Sequence, residues 1–210
     1  MIKIIDYKAG NAPSVLHAVQ RIGFPAELIT APQGLKNASF IILPGVGSAG
    51  ATMKSLKESG IKDALHEYVI EKKIPFLGIC VGLQIIFEHS EEDDAVCFAW
   101  LKGRVKKYNP NKVRVPQMCW NRVSFIKNYP VNAFSGITES YFYFVNSYYA
   151  LPEDSNDIWG TAHYEADFTA AVRHGNIYGT QFHIEKSGIA GLMLLEGFLR
   201  DADKTAHSLL

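Results

Sequence analysis

The chain has 210 residues, 48% hydrophobic and 20% charged, with 21 basic and 21 acidic side chains and a formal net charge of zero. That length suits one well-buried domain spanning 1–210, and the balanced charge offers no basic field for nucleic acid or an anionic membrane surface. Three cysteines, Cys80, Cys97 and Cys119, lack Cys-x-x-Cys spacing, which argues against a disulfide framework or a zinc site and fits a reducing cytoplasm. No apolar segment approaches bilayer length, and the start Met1-Ile2-Lys3-Ile4-Ile5-Asp6 is too short and too soon polar for a signal peptide.

In chain order, Ile2–Tyr7 reads as a strand. Asn11 is a candidate N-cap with Pro13 in the first turn of a helix carrying Val15, Leu16, Val19 and Ile22, stopped at Gly23. Ala26–Thr30 is a short strand. Phe40–Leu43 is a strand apolar enough for burial on both faces, and it runs into Pro44-Gly45-Val46-Gly47. Helices are expected over Ala51–Lys57 and Ile61–Glu71. Alternating strands and helices imply an α/β fold with a mostly parallel sheet and helices on both faces. Ligands of such sheets bind beyond the carboxyl ends of the strands.

Next comes the stretch around which the chain is organised, Phe76-Leu77-Gly78-Ile79-Cys80-Val81-Gly82-Leu83-Gln84. An apolar run stops at a cysteine with glycines two residues away on each side, and Leu83, Ile86 and Phe87 continue at helical spacing. This is the strand–nucleophile–helix pattern of a nucleophile elbow. The tight turn forces unusual backbone angles, and its flanking positions must lack a Cβ. Free N–H groups at the start of the helix then face the sulfur.

Ser90–Asp94 reads as an acidic, solvated loop, and Lys102–Arg114 carries Lys102, Arg104, Lys106, Lys107, Lys112 and Arg114 with no acid, the pattern of an exposed strand face. The second half is strand-rich, over Arg122–Ile126, Tyr141–Ala150, Ile158–Tyr164, Ala170–Arg173 and Ile177–Phe182, with a hairpin turn at His174-Gly175-Asn176. A last helix over Ile189–Leu199 is expected to turn Ile189, Met193, Phe198 and Leu199 inward.

A thiol nucleophile needs a base, and the base needs an orienting group. Of seven histidines, His183 ends an apolar strand and has Glu185 two residues on, a spacing that puts both side chains on one face of an extended chain. Cys80, His183 and Glu185 therefore form a candidate triad. The Val81 N–H and an N–H of the Gly45-Val46-Gly47 turn are candidates for oxyanion stabilisation. That turn lacks the Gly-Lys-Ser/Thr of a phosphate-binding loop.

The motifs together resemble the class I (triad) glutamine amidotransferases nearly end to end. The resemblance rests on Ile5-Asp6-Tyr7 with Gly10-Asn11, Leu43-Pro44-Gly45-Val46-Gly47 and Gly78-Ile79-Cys80-Val81-Gly82-Leu83-Gln84. Pro116-x-Met118-x-Trp120-Asn121, Tyr143-Phe144-Val145 and Gln181-Phe182-His183-x-Glu185-Lys186-Ser187 complete it. It implies a flavodoxin-like core, no cofactor, and hydrolysis of glutamine to glutamate and ammonia. The ammonia would be channelled to a synthase partner of (β/α)8-barrel type in a heterodimer. Carried over, Cys80 is the nucleophile, His183 the base and acid, and Glu185 the orienter. Gln84 holds the substrate with backbone near Ser147 and Tyr148. Asn11, Met118, Trp120, Asn121, Tyr143 and Lys186 lie towards the partner.

Lys8, Gln117, Cys119 and Asn146 depart from the pattern, standing where glycine, histidine, glycine and histidine are usual, and Ile184 stands in the usual proline place. Extended backbone at Ile184 suits its β-branch. The default acceptor is a histidine-biosynthetic intermediate, and the departures leave open a paralogue supplying ammonia for amidination of a surface sugar. A stand-alone hydrolase and a non-catalytic scaffold are the other readings weighed.

Overall fold

The computed structural model describes residues 1–8, 11–126 and 138–207, so Gly10 of the opening motif lies outside the described residues. The first half alternates strand and helix. β1 (Ile2–Ile5), β2 (Ala26–Ile29), β3 (Phe40–Gly45) and β4 (Phe76–Cys80) run parallel in the order β2-β1-β3-β4. Every residue of β3 and β4 is buried, as strands covered on both faces require. The strand order reverses between β1 and β3, the switch point where ligands of such sheets bind.

α1 (Ala12–Arg21) buries Ala12, Val15, Ala18 and Val19 and ends where Gly23 takes φ +86°. Asn11 occupies the N-cap position, but its side chain makes no capping bond. α2 (Ala49–Glu58) is capped by Ser48, whose hydroxyl accepts from the Ala51 N–H. α3 (Ile61–His66) continues into a wider turn over Glu67–Glu71.

The helix after Cys80 is a single turn, α4 (Val81–Gln84), rather than one that reaches Phe87. The cause is competition for carbonyls. The Ile85, Ile86 and Phe87 C=O groups, which a longer helix would use, accept instead from the N–H groups of Phe98, Trp100, Leu101 and Ala99.

The acidic segment is less solvated than its composition suggests. β5 (His89–Ser90) pairs with β6 (Ala95–Val96), Ser90 is fully buried, and Glu92 is half-buried where it accepts from the Ala49 N–H at 2.9 Å. β7 (Gly103–Lys107) turns Arg104 and Lys107 to solvent and buries Val105, as the cationic run implied.

The next strands are β8 (Gln117–Phe125), β9 (Glu139–Asn146), β10 (Tyr148–Pro152), β11 (Ile158–His163) and β12 (Asp167–His174); β8 and β12 start earlier than expected, β9 and β10 divide one expected strand, and β11 stops one residue short of Tyr164. They are antiparallel to their neighbours, with β11 bridging β12 to the β8–β9 ribbon. β13 (Ile177–Thr180) returns after the hairpin and lies parallel to β4, joining the two halves into one sheet.

α5 (Gly188–His207) buries Leu194, Leu195, Phe198 and Leu199, whereas Ile189 and Met193 are 78% and 37% exposed, contrary to the inward placement expected of them. The buried stripe begins at Gly191, where an added Cβ would fall 2.0 Å from the Ile184 carbonyl oxygen. At about 100° per residue, Ile189 and Met193 sit roughly 160–200° from Gly191, on the opposite side of the helix.

Candidate active site

β4 ends at Cys80, which pairs with Gly45 across the β3–β4 ladder and adopts φ +56°, ψ −107°. For a residue with a Cβ this is a strained conformation that the surroundings must hold in place. They do so by close packing. A Cβ on Gly78 would fall 2.3 Å from the Gly82 carbonyl oxygen, and one on Gly82 would fall 2.0 Å from that of Leu43. The glycine spacing is therefore demanded by backbone on backbone.

His183 is brought to the same rim from 103 positions further on. Its N–H donates to the Tyr143 carbonyl at 2.9 Å, and its own carbonyl accepts from the Ser187 hydroxyl, which in turn accepts from the Tyr143 N–H. The histidine backbone is thus pinned to β9. Its Nδ1 lies 2.9 Å from Glu185 Oε1, and both side chains are almost wholly buried. The pair does not meet across an extended strand. Ile184–Lys186 forms a single 3-10 turn, and the turn brings the carboxylate under the ring. Ile184 begins that turn, a position where proline's fixed φ also fits, so the exchange is benign for a different reason from the β-branch.

The electrostatics favour a protonated imidazole beside an ionised carboxylate. Burial opposes charge on His183, but Cys80 and Glu185, as hydrogen-bond and charge partners, outweigh it and raise the pKa from 6.5 to about 9. Burial likewise opposes charge on Glu185, and the His183 contact, with help from Asn11, lowers its pKa nonetheless. Asn11 Nδ2 donates to Glu185 Oε1 at 2.8 Å, which explains why Asn11 does not cap α1. The Cys80 sulfur lies 3.7 Å from Gln181 Nε2, an amide donor buried beside it.

These groups open on a cleft of about 540 Å³ at the carboxyl edge of the sheet. Of the expected site residues, Cys80, His183, Val46, Gly47, Val81, Gln84, Ser147, Tyr148, Asn11 and Lys186 all line it. Glu185 does not, being buried beside the His183 ring, and neither does Gly45, which is buried where an added Cβ would meet the Tyr7 hydroxyl at 2.7 Å. Among the described residues, no backbone hydrogen bond takes the Val46 or Gly47 N–H.

Both Gln84 Nε2 hydrogens are engaged, by the Tyr148 carbonyl and Gln181 Oε1, each at 3.0 Å, so Gln84 offers the cleft its carbonyl oxygen. Glu92 and Asn146 also line the cleft and were not singled out as binding groups in the sequence. Glu92 sits in an acidic run that reads as solvent-facing, and burial raises its pKa.

On the outer face of β8, Met118 and Trp120 are 62% and 52% exposed, and the Trp120 ring lies 6.0 Å from that of half-buried Tyr143. Asn121 turns back to donate to the His163 carbonyl, and Lys186 is exposed at the cleft mouth. Among the described residues, no cluster of three or more His, Cys, Asp or Glu could hold a metal, and no helix is long and apolar enough to cross a membrane.

A thiol on an elbow at the sheet's carboxyl rim, faced by a histidine–carboxylate pair, defines a class of enzymes, and the chain belongs to it. Residues 3–201 match the family model for class-I glutamine amidotransferases, so this is a member of that family. More particularly, it is 41% identical over 208 residues to the imidazole glycerol phosphate synthase subunit HisH of Leptospira borgpetersenii, covering 94% of this chain and 98% of that one. It is 42% identical to subunit HisH 2 of Methanococcus maripaludis, covering 96% and 100%. Among solved structures, PurLQS from Thermotoga maritima matches with a TM-score of 0.76 at 19% identity, over 95% of this chain and 97% of that one, a likeness of fold.

Proposed function

We propose that this chain is the glutaminase subunit of imidazole glycerol phosphate synthase, acting in histidine biosynthesis as one folded unit in the cytoplasm. Its partner is a synthase subunit of (β/α)8-barrel type, with which it forms a heterodimer. The reading is supported by full-length similarity to subunits of that name and, above all, by Cys80 and His183 lining one cleft with Glu185 hydrogen-bonded to the His183 ring.

In the mechanism, Cys80 Sγ attacks the carboxamide carbon of glutamine, and the Val81 N–H with a donor from Val46 or Gly47 holds the oxyanion. His183 delivers its proton to the departing nitrogen, so the C–N bond breaks and neutral ammonia leaves a glutamyl thioester. His183, now neutral, takes a proton from water as the water attacks the thioester. The C–S bond breaks, the thiolate of Cys80 and the protonated His183 are regenerated, and the new carboxyl group gives its proton to solvent as glutamate departs. Glu185 fixes the tautomer that presents Nε2 to sulfur. The half-buried Glu92 carboxylate is suited to the α-ammonium of glutamine, with the Gln84 carbonyl oxygen and the backbone at Ser147 and Tyr148 completing the hold.

Ammonia in neutral water is mostly protonated and not nucleophilic, so release into an enclosed path towards the partner preserves its reactivity. Met118, Trp120, Tyr143, Asn121 and Lys186 mark the docking side. Cys80→Ala in the reconstituted complex is expected to abolish glutamine-dependent synthesis while ammonium salts still support it. Loss of both activities would overturn this division of labour.

A further inference from the structure

Three departures from the family pattern, Gln117, Cys119 and Asn146, meet in space. Gln117 and Asn146 face each other across the β8–β9 ladder, both buried, and the Tyr108 hydroxyl sits between them. Tyr108 donates to Gln117 Oε1 at 3.2 Å, and Asn146 Nδ2 approaches the same hydroxyl at 3.3 Å. Asn146 Nδ2 also donates to the Tyr148 carbonyl at 2.9 Å, the carbonyl that accepts from Gln84. Gln84 bonds Gln181, and Gln181 bonds the Cys80 sulfur. At the far end, Gln117 Nε2 reaches the Cys119 sulfur at 3.8 Å.

The direction of each bond follows from donor arithmetic. A backbone carbonyl only accepts, so Asn146 and Gln84 must both present nitrogen to Tyr148. Asn146 spends its second N–H on the Tyr108 oxygen, and the phenol spends its one proton on Gln117. Burial drives the Tyr108 pKa well above the ordinary phenol value, so the chain of bonds does not titrate near neutrality. The ring itself is fixed, stacked on Tyr149 at 4.8 Å and met edge-on by Tyr164 and Phe168, while its N–H holds the Ser147 carbonyl. Tyr108 is a rigid post whose hydroxyl occupies one point beneath the cleft.

We propose that Tyr108 is a positioning residue for glutamine: through Asn146 it sets the Tyr148 carbonyl, and through that carbonyl the orientation of the Gln84 amide. The proposal rests on the reading of Gln84 as a substrate-holding group. Without the hydroxyl, Asn146 loses its second partner and can turn. The Tyr148 carbonyl and Gln84 then sample positions that bind substrate less well, while the His183–Glu185 pair, which shares none of these bonds, is untouched.

The test is Tyr108→Phe in the reconstituted complex, with glutamine as the varied substrate and ammonium chloride as the parallel nitrogen source. The KM for glutamine is expected to rise about 10-fold with kcat within about 3-fold, and the ammonium-dependent rate to stay at wild type. Asn146→Asp keeps the shape but removes both N–H donors. It should raise KM at least as much, and the double variant should be no worse than Asn146→Asp alone, because both act through one link. An unchanged KM in a cooperatively unfolding Tyr108→Phe, equal loss with glutamine and ammonium, or additive effects would each overturn the proposal. Should Tyr108→Phe fail to fold, Asn146→Asp decides by the same KM readout. Throughout, glutamine-dependent synthesis surviving Cys80→Ala would instead refute the parent reading, so the two failures are distinguishable.

Discussion

Asn11 and Glu185, 174 positions apart, meet at 2.8 Å: the amide of the residue just before α1 donates to the carboxylate that contacts the His183 ring. The same Oε1 takes the His183 contact, so one oxygen carries both partners. Asn11 also lines the cleft. Asn11 holds the N-cap position of α1, yet its side-chain amide goes to the Glu185 carboxylate and not to the helix.

Asn11→Ala should therefore lower kcat for glutamine by about 10-fold, the scale of one hydrogen bond to a charged group, with a smaller change in KM. Asn11→Asp should do more harm, because a second carboxylate would face Glu185 at hydrogen-bonding distance. Steady-state rates with glutamine, set against ammonium-dependent rates in the same complex, check this. A wild-type kcat in Asn11→Ala would show the contact to be incidental.

The reach of sequence reasoning here follows the range of the forces involved. The elbow was legible because its requirement is local: Gly78 and Gly82 must lack a Cβ for the turn at Cys80 to close. His183 and Glu185 were legible as a pair because two residues apart in the chain is always near in space, although a 3-10 turn and not a pleat brings them together. The Asn11–Glu185 bond was illegible because its two ends are remote in sequence, and an N-cap explains an asparagine before a helix equally well. The length of α4 was illegible for a like reason, being set by Phe98–Leu101 capturing carbonyls of residues 85–87. Ile189 and Met193 were placed inward on hydrophobicity alone, whereas the buried stripe of α5 is fixed by where Gly191 meets Ile184.

The charged pair gives a pH dependence with a definite sign. His183 has a folded-state pKa of about 9 against an ordinary 6.5, so its contribution to stability is complete below about pH 6.5 and is lost as pH rises through 9. Glu185, lowered from 4.5, contributes above that value and loses its contribution as pH falls through its folded-state pKa. The two overlap fully between about pH 4.5 and 6.5. Urea denaturation should show the stability gap between wild type and Glu185→Gln widest near pH 6 and much reduced at pH 9.5. An NMR titration should find the His183 ring protons titrating at lower pH in the variant. A gap that does not vary with pH would rule out the ion pair.

Lys8 carries the last expectation. It stands where related chains are expected to have glycine, and it keeps a glycine-like conformation, with φ +64° and its N–H donating to Asp6 Oδ1 at 3.0 Å. A Cβ in the left-handed region costs roughly 1–2 kcal/mol, and the extra freedom of glycine in the unfolded chain returns about 0.5–1 kcal/mol of that. Lys8→Gly should therefore stabilise the protein by about 0.5–1 kcal/mol, seen as a higher urea midpoint at unchanged slope. Lys8→Ala, which removes the charge but keeps the Cβ, separates backbone strain from electrostatics and should leave the midpoint near wild type. Lys8→Val should lower it, since a β-branched residue tolerates positive φ least. A midpoint that rises equally in the alanine and glycine variants would assign the effect to the lost charge and not to the turn.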